Sequence, residues 1–161
     1  MRGAVKLIEF QPVTGDKISL LKEIVNSNHA YNTLSEGHSE LTDREILHMY
    51  ESSNGHNAVM NFVVAGGRAV GVIDYLMENP YDNMPWLGLL MIHSHYHGQG
   101  YAVEALRKYE SLMRDLGKGT VRLGVIKGND HALRFWTNRG FAFYEEKQGD
   151  KWTVLCLEKV L

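Results

Sequence analysis

The chain of 161 residues holds a single cysteine, Cys156. With no second thiol there can be no internal disulfide, and the expected location is a reducing compartment, the cytoplasm. No apolar stretch approaches the roughly 20 residues needed to cross a bilayer. The opening Met1-Arg2-Gly3-Ala4-Val5-Lys6 lacks the apolar centre of a secretory signal, so no membrane partner is expected. An excess of positive charge is also missing. The formal net charge of -2 removes the general basic field on which nucleic-acid binding depends, so nucleic acid is not an expected partner. Repeats, linkers and low-complexity tracts are absent too, which leaves one domain over residues 1–161 with 44% hydrophobic residues to build its core.

What stands out is His97-Gly98-Gln99-Gly100-Tyr101-Ala102, placed after the apolar run Trp86 to Ile92 and before an amphipathic segment. Glycines at a strand-to-helix junction let the chain turn sharply and aim free N–H groups at an anion, and the helix dipole adds positive potential there. The pattern predicts a cradle for phosphate. Two familiar cradles fail. The nucleoside-triphosphate loop needs Gly-Lys before Ser or Thr, and no lysine lies between Lys22 and Lys108. The dinucleotide loop needs a third glycine where Val103 stands and an acidic residue in the Gly117 to Val125 stretch, which has none.

Periodicity predicts a strand from Val5 to Phe10, a helix from Ile18 to about Asn28, and a polar irregular stretch from Asn28 to Glu40. Thr42-Asp43-Arg44-Glu45 can start a second helix through Tyr50. Ala58 to Ala65 and Ala69 to Met77 read as a hairpin around Gly66-Gly67, and Trp86 to Ile92 as the next strand. From Ala102 to Leu116 one apolar face (Ala105, Leu106, Tyr109, Leu112, Met113, Leu116) opposes a polar face that includes Glu110, with Gly117 as the stop. Thr120 to Ile126, a short helix from Asn129 or Asp130 to Gly140, and the strands Phe141 to Tyr144 and Trp152 to Val160 complete the chain. The expected fold class is α/β, with a central mixed, twisted sheet of about six to seven strands and helices on both faces.

Two blocks carry a resemblance. Leu90 to Ala102 resembles the acyl-coenzyme A motif of the GNAT family of N-acetyltransferases, a Gln/Arg-x-x-Gly-x-Gly/Ala loop after an apolar strand. Asn129 to Phe141 resembles that family's Asn-x-x-Ala-x-x-Phe-Tyr segment ending in Gly-Phe. The resemblance implies one GNAT-like domain that uses acetyl-CoA as cosubstrate without a metal. It implies transfer of an acetyl group to a primary amine of a small-molecule or peptide acceptor, by direct attack in a ternary complex. A monomer or homodimer is expected. The alternative is a non-catalytic acyl-CoA-binding or sensing module.

By the same resemblance, coenzyme contacts fall on Leu90, Met91 and Ile92 through their backbone, on His97, Gly98, Gln99, Gly100, Tyr101, Ala102 and Val103, and on Asn129, Ala132, Phe135 and Trp136. A backbone N–H near Ile92 would polarise the thioester carbonyl. Two positions depart from the family: His97 stands for Gln or Arg, and Trp136 for a tyrosine that protonates the departing thiolate. Indole cannot release its proton near neutrality, so the thiolate is expected to leave without an acid from this position. A family carboxylate in the strand before the second block is replaced by Gly124.

Asp74 interrupts the apolar strand Val70 to Leu76 and is the candidate general base; the other reading is a strand-end aspartate facing water. His93, His95 and His97 alternate as metal ligands can, but no Cys pair or His-Glu-x-x-His element completes a site, so no metal is expected. Cys156 is expected in the core. The segment Asn28 to Glu40 and the Pro80 to Pro85 loop are expected to shape the acceptor pocket.

Overall fold

Hydrophobic alternation along seven segments builds one sheet, and the helices between them cover both of its faces. The computed structural model describes residues 6–161. In chain order the elements are β1 (Ile8–Pro12), α1 (Ile18–Asn26), α2 (His29–Glu36), α3 (Asp43–Gly55), β2 (Val59–Ala65), β3 (Arg68–Leu76), β4 (Trp86–Ile92), α4 (Tyr101–Asp115), β5 (Thr120–Ile126), α5 (Asp130–Asn138), β6 (Ala142–Gln148) and β7 (Thr153–Val160). Strand order is β1-β2-β3-β4-β5-β7-β6, antiparallel throughout except for the parallel pair of β4 and β5.

One face of the sheet packs against α4 and α5, where Leu106, Tyr109 and Met113 meet Val121, Leu123 and Leu157. The other packs against α1 and α3, where Leu21, Ile24, Val25 and Ile46 meet Phe62 and Val72. Each fully buried side chain of this size stabilises the fold by about 1.5–3 kcal/mol relative to exposure.

Four departures from the sequence reading have physical causes. The segment Asn28 to Glu40 is not irregular: α2 occupies most of it and ends at Gly37, with φ +83°. Its buried residues are Asn32 and Ser35, so it carries no apolar stripe for periodicity to detect. It is held by polar bonds instead, Asn32 Nδ2 donating to the carbonyls of Val25 (2.9 Å) and Ser39 (3.0 Å). The second helix runs past Tyr50 to Gly55; it packs on β2, and its last turn is tied to β3 by Ser53, which donates to Asp74. Glu110 is buried and Leu116 exposed, the reverse of the expected faces. The long Glu110 side chain reaches Lys159 of β7, with Nζ–O distances of 2.8 and 2.9 Å, and this pairing compensates its removal from water. The first strand starts at Ile8 rather than Val5, and Val5 lies outside the described residues.

Candidate active site

The site begins where β4 stops behaving as a regular strand. Its register against β3 steps from Asp74↔Leu89 to Tyr75↔Leu87, which leaves Gly88 as the extra residue of a β-bulge. A Cβ on Gly88 would lie 3.2 Å from Asp74 Oδ1 and 3.4 Å from the Asp74 carbonyl, so glycine leaves that carboxylate room. Beyond the bulge, His93 N–H donates to the Val70 carbonyl at 2.8 Å. By strand alternation, the main-chain groups of Leu90 and Ile92 then turn away from β3 toward the β5 side.

There they meet no strand. β4 pairs with β5 only at Trp86↔Arg122 and Leu87↔Leu123, after which the two part. The resulting wedge is a cavity of about 130 Å³ lined by residues 87–90 of β4, 123–126 of β5, Asn129, Ala132 and Trp136 of α5, and Tyr31 of α2. The N–H and carbonyl of Leu90 and the N–H of Ile92, which no strand takes up on this side, suit an extended amide-bearing ligand that adds itself as a strand.

At the far end of β4 lies the glycine loop. Gly98 and Gly100 have φ of +75° and +85°, and a Cβ on either would meet nothing within 4 Å. The positive φ, not crowding, is what calls for glycine here, and the empty space beside it is available to a ligand. No side chain caps α4, so the first-turn N–H groups from Tyr101 to Val103 are free for an anion. His97 braces the loop from behind: its Nε2–H donates to the Ile92 carbonyl at 2.7 Å, an oxygen that also accepts from Asn28 Nδ2 at 3.0 Å.

On the opposite side of the bulge a groove of about 760 Å³ opens between α3 and the sheet. Asp74, Ser53, Trp86, Gly88 and Leu89 form its inner part, with Glu36, Arg44, Glu45, His48 and Trp152 among the outer residues. Gly88 and Leu89 line both groove and wedge, so the two cavities border each other at the bulge. Ser53 Oγ donates to Asp74 Oδ2 at 2.5 Å. Burial pushes the Asp74 carboxyl above its ordinary range, only partly opposed by the Ser53 bond. Asp74 is therefore half-buried against a groove, not a strand-end residue in open water. The Trp86 ring is held by Asp82, which accepts from its Nε1 at 2.8 Å and from Arg122 Nη1 at 3.2 Å. Burial opposes ionisation of Asp82, but the bonds from Met84 N–H, Trp86 and Arg122 together outweigh it and hold the carboxyl below its usual value.

Of the residues singled out in the sequence, Leu90, Asn129, Ala132 and Trp136 line the wedge. Asn129 also caps α5, its side chain accepting from Ala132 N–H at 3.2 Å. Phe135 lies outside the wedge lining and packs edge-on against Trp136 at 4.9 Å. Met91 turns its side chain into the α1–α3 core. Ile92 sits at the cradle end of β4, beyond the wedge. A Cβ at Gly124 would come 2.7 Å from Val154 Cγ1, so a carboxylate there would need Val154 to move. Cys156 is buried.

The Pro80 to Pro85 loop lines neither cavity; it acts on the groove through Asp82 and Trp86. Sequence reading passed over Ser53, Gly88, Trp152 and Tyr31. A glycine inside an apolar strand is a bulge signal and could have flagged Gly88, but nothing local marks the others. Among the described residues no three His, Cys, Asp or Glu side chains converge as metal ligands, and no helix is long and apolar enough to cross a membrane.

The model of the Acetyltransferase (GNAT) family matches residues 21–141, a span containing both cavities' sheet walls and the glycine loop. The chain belongs to this acetyltransferase family. Solved structures agree in fold. An acetyltransferase from Thermus thermophilus shares 20% identity over 98% of this chain and 99% of its own, with a TM-score of 0.82. The PaiA N-acetyltransferase of Thermoplasma acidophilum, solved with coenzyme A, shares 16% over 96% and 99%, with a TM-score of 0.69. The Salmonella typhimurium enzyme that modifies the N-terminal serine of ribosomal protein L7/L12 shares 14% over 96% and 95%, with a TM-score of 0.77. Among curated protein sequences none matches this chain.

Proposed function

We propose that the protein moves the acetyl group of acetyl-CoA onto a primary amine held in the α3 groove, by direct attack within a ternary complex. The observation that carries this reading is that wedge and groove share Gly88 and Leu89 as their wall, with the Asp74 carboxylate beside Gly88 on the groove side. A donor threaded through one cavity and an acceptor held in the other would meet there, and holding both in place removes much of the entropic barrier.

The uncapped start of α4 binds the coenzyme's pyrophosphate, and the open edge of β4 pairs with its pantetheine arm. Leu90 N–H, which faces the wedge next to the bulge, is better placed than Ile92 N–H to donate to the thioester oxygen. Asp74 attracts the incoming ammonium and takes its proton. Its raised pKa brings it nearer to neutrality, where a general base is most effective. The groove's size suits a small molecule or the end of a peptide. Neighbouring folds include enzymes for a ribosomal protein terminus and for spermidine, so both kinds of acceptor belong in the test.

The experiment is release of free thiol from acetyl-CoA with a panel of amino acids, polyamines, aminoglycosides and peptides with free N-termini. Turnover with at least one amine is expected. Tight acetyl-CoA binding with no turnover across the panel would instead favour a binding module.

A further inference from the structure

The wedge has one titratable side chain among the described residues that line it. β4 contributes aliphatic residues and Gly88, β5 aliphatic residues and Gly124, and α5 Asn129, Ala132 and Trp136, none of which can release a proton near neutrality. The remaining lining residue is Tyr31, carried in from α2. From its place in the wedge we infer that Tyr31 is the general acid of the transfer, donating its phenolic proton to the coenzyme sulfur as the thioester breaks. This rests on the acetyl-transfer reading above.

The step balances. The acceptor nitrogen forms a bond to the acetyl carbon, the carbon–sulfur bond breaks, and its electron pair goes to sulfur. Sulfur takes the proton from Tyr31 Oη, and the tyrosinate is reprotonated from solvent before the next turnover. Tyr31 stays 36% exposed, and the partial loss of water around its phenol, then the nearby Glu36 carboxylate, raise its pKa, so the phenol stays protonated through the neutral range. Glu36 is itself paired with Lys151 at 2.6 Å, and the wedge lining contains no charged group.

The position is built, not incidental. α2 is pinned over the sheet by Trp152 Nε1 donating to the Ser35 carbonyl at 3.0 Å and by the Lys151–Glu36 pair, both from the β6–β7 turn. The other phenols near the coenzyme path do not line the wedge. Tyr101 packs on Tyr96 beside the glycine loop, and Tyr144 lies under the Arg122 guanidinium at 4.5 Å with its pKa pushed up to about 12 by burial.

The test uses the full-length protein with an amine for which wild-type turnover has been measured. Absence of wild-type turnover with every amine would overturn the transfer reading itself and this proposal with it, before any variant is made. Given turnover, Tyr31→Phe should lower kcat by about 10²-fold or more, the usual scale of general-acid help, while KM for the amine and Kd for coenzyme A stay near wild type. Trp136→Tyr in the Tyr31→Phe background should recover part of kcat, because it returns a phenol to the lining of the same wedge. Replacing Tyr31 with a fluorinated tyrosine of lower phenol pKa should move the alkaline fall of kcat to lower pH. The proposal is overturned if Tyr31→Phe keeps wild-type kcat. It is also overturned if kcat falls only together with coenzyme affinity, which would make Tyr31 a wall, or if the fluorinated variant leaves the alkaline limb where it was.

Discussion

At the scale of single residues the most consequential feature is a carboxylate kept partly out of water. Asp74 has its pKa raised chiefly by burial, so the folded protein binds this proton more tightly than the unfolded chain does. The sign follows from linkage. Above the folded pKa the native state carries the cost of a half-buried charge; as pH falls through that value the cost is relieved, and the effect levels off below the unfolded value near 3.9. Asp74→Asn should therefore raise Tm at neutral pH, since Ser53 Oγ can donate to the amide oxygen as it does to Asp74. The same change should lower kcat by about 10²- to 10⁴-fold and abolish the acid limb of the kcat/KM profile. A variant with wild-type kcat and an unaltered acid limb would remove Asp74 from the chemistry. Stability and activity moving in opposite directions is the signature of strain kept for function.

Among the elements, α4 and α3 have separate duties. Gly100 is the last residue before α4, and any side chain there is strained by its φ of +85°. Gly100→Ala and Gly100→Glu should thus both lower Tm, but the two part in coenzyme binding. The glutamate puts negative charge where pyrophosphate must approach the helix start, and calorimetry should show coenzyme A binding nearly lost in Gly100→Glu and only modestly weakened in Gly100→Ala. Equal affinities in the two variants would refute the cradle. His97→Gln should be mild in both respects, because the amide can donate to the Ile92 carbonyl as the imidazole does. In α3 the capping box is complete, with Thr42 Oγ1 accepting from Glu45 N–H at 3.2 Å and Glu45 accepting from Thr42 N–H at 3.0 Å. Thr42→Ala should cost about 1 kcal/mol in denaturant unfolding. Because α3 also carries Ser53, the substitution should raise KM for the amine more than it changes coenzyme affinity, a split that steady-state kinetics would reveal.

For the whole molecule, the coenzyme is expected to act as a brace. The glycine loop, both diverging strands and α5 all border the path proposed for it, so a ligand that binds only when these are assembled should stabilise the entire fold. Acetyl-CoA at about 100 times its Kd should add about 2.7 kcal/mol to the unfolding free energy, whereas ATP and NADH should add little, since neither carries a pantetheine arm for the β4 edge. Equal thermal shifts from all three ligands would mean that only the anion is read.

Much of this molecule is written in short windows of sequence. The positive φ of Gly98 and Gly100, the capping box at Thr42, the cap at Asn129 and the boundaries of β4 and β5 each depend on neighbours within a few residues, and local backbone sterics decide them wherever the chain goes. The glycine turn and the uncapped helix start after it were legible for that reason. Contacts between distant residues were not. Asp74 meets Ser53 across 21 positions and Trp152 meets Ser35 across 117, so no periodicity links them. α2 was missed because polar bonds to distant carbonyls, not an apolar stripe, hold it in place. The parting of β4 from β5, the sharing of Gly88 by wedge and groove, and the presence of Tyr31 and Trp136 in one cavity lining exist only once topology has set these elements side by side. The linear order of the chain determined where glycines turn it into an uncapped helix start; three-dimensional packing alone decided which side chains stand together at the two cavities, because a cavity lining joins residues whose separation along the chain encodes no contact.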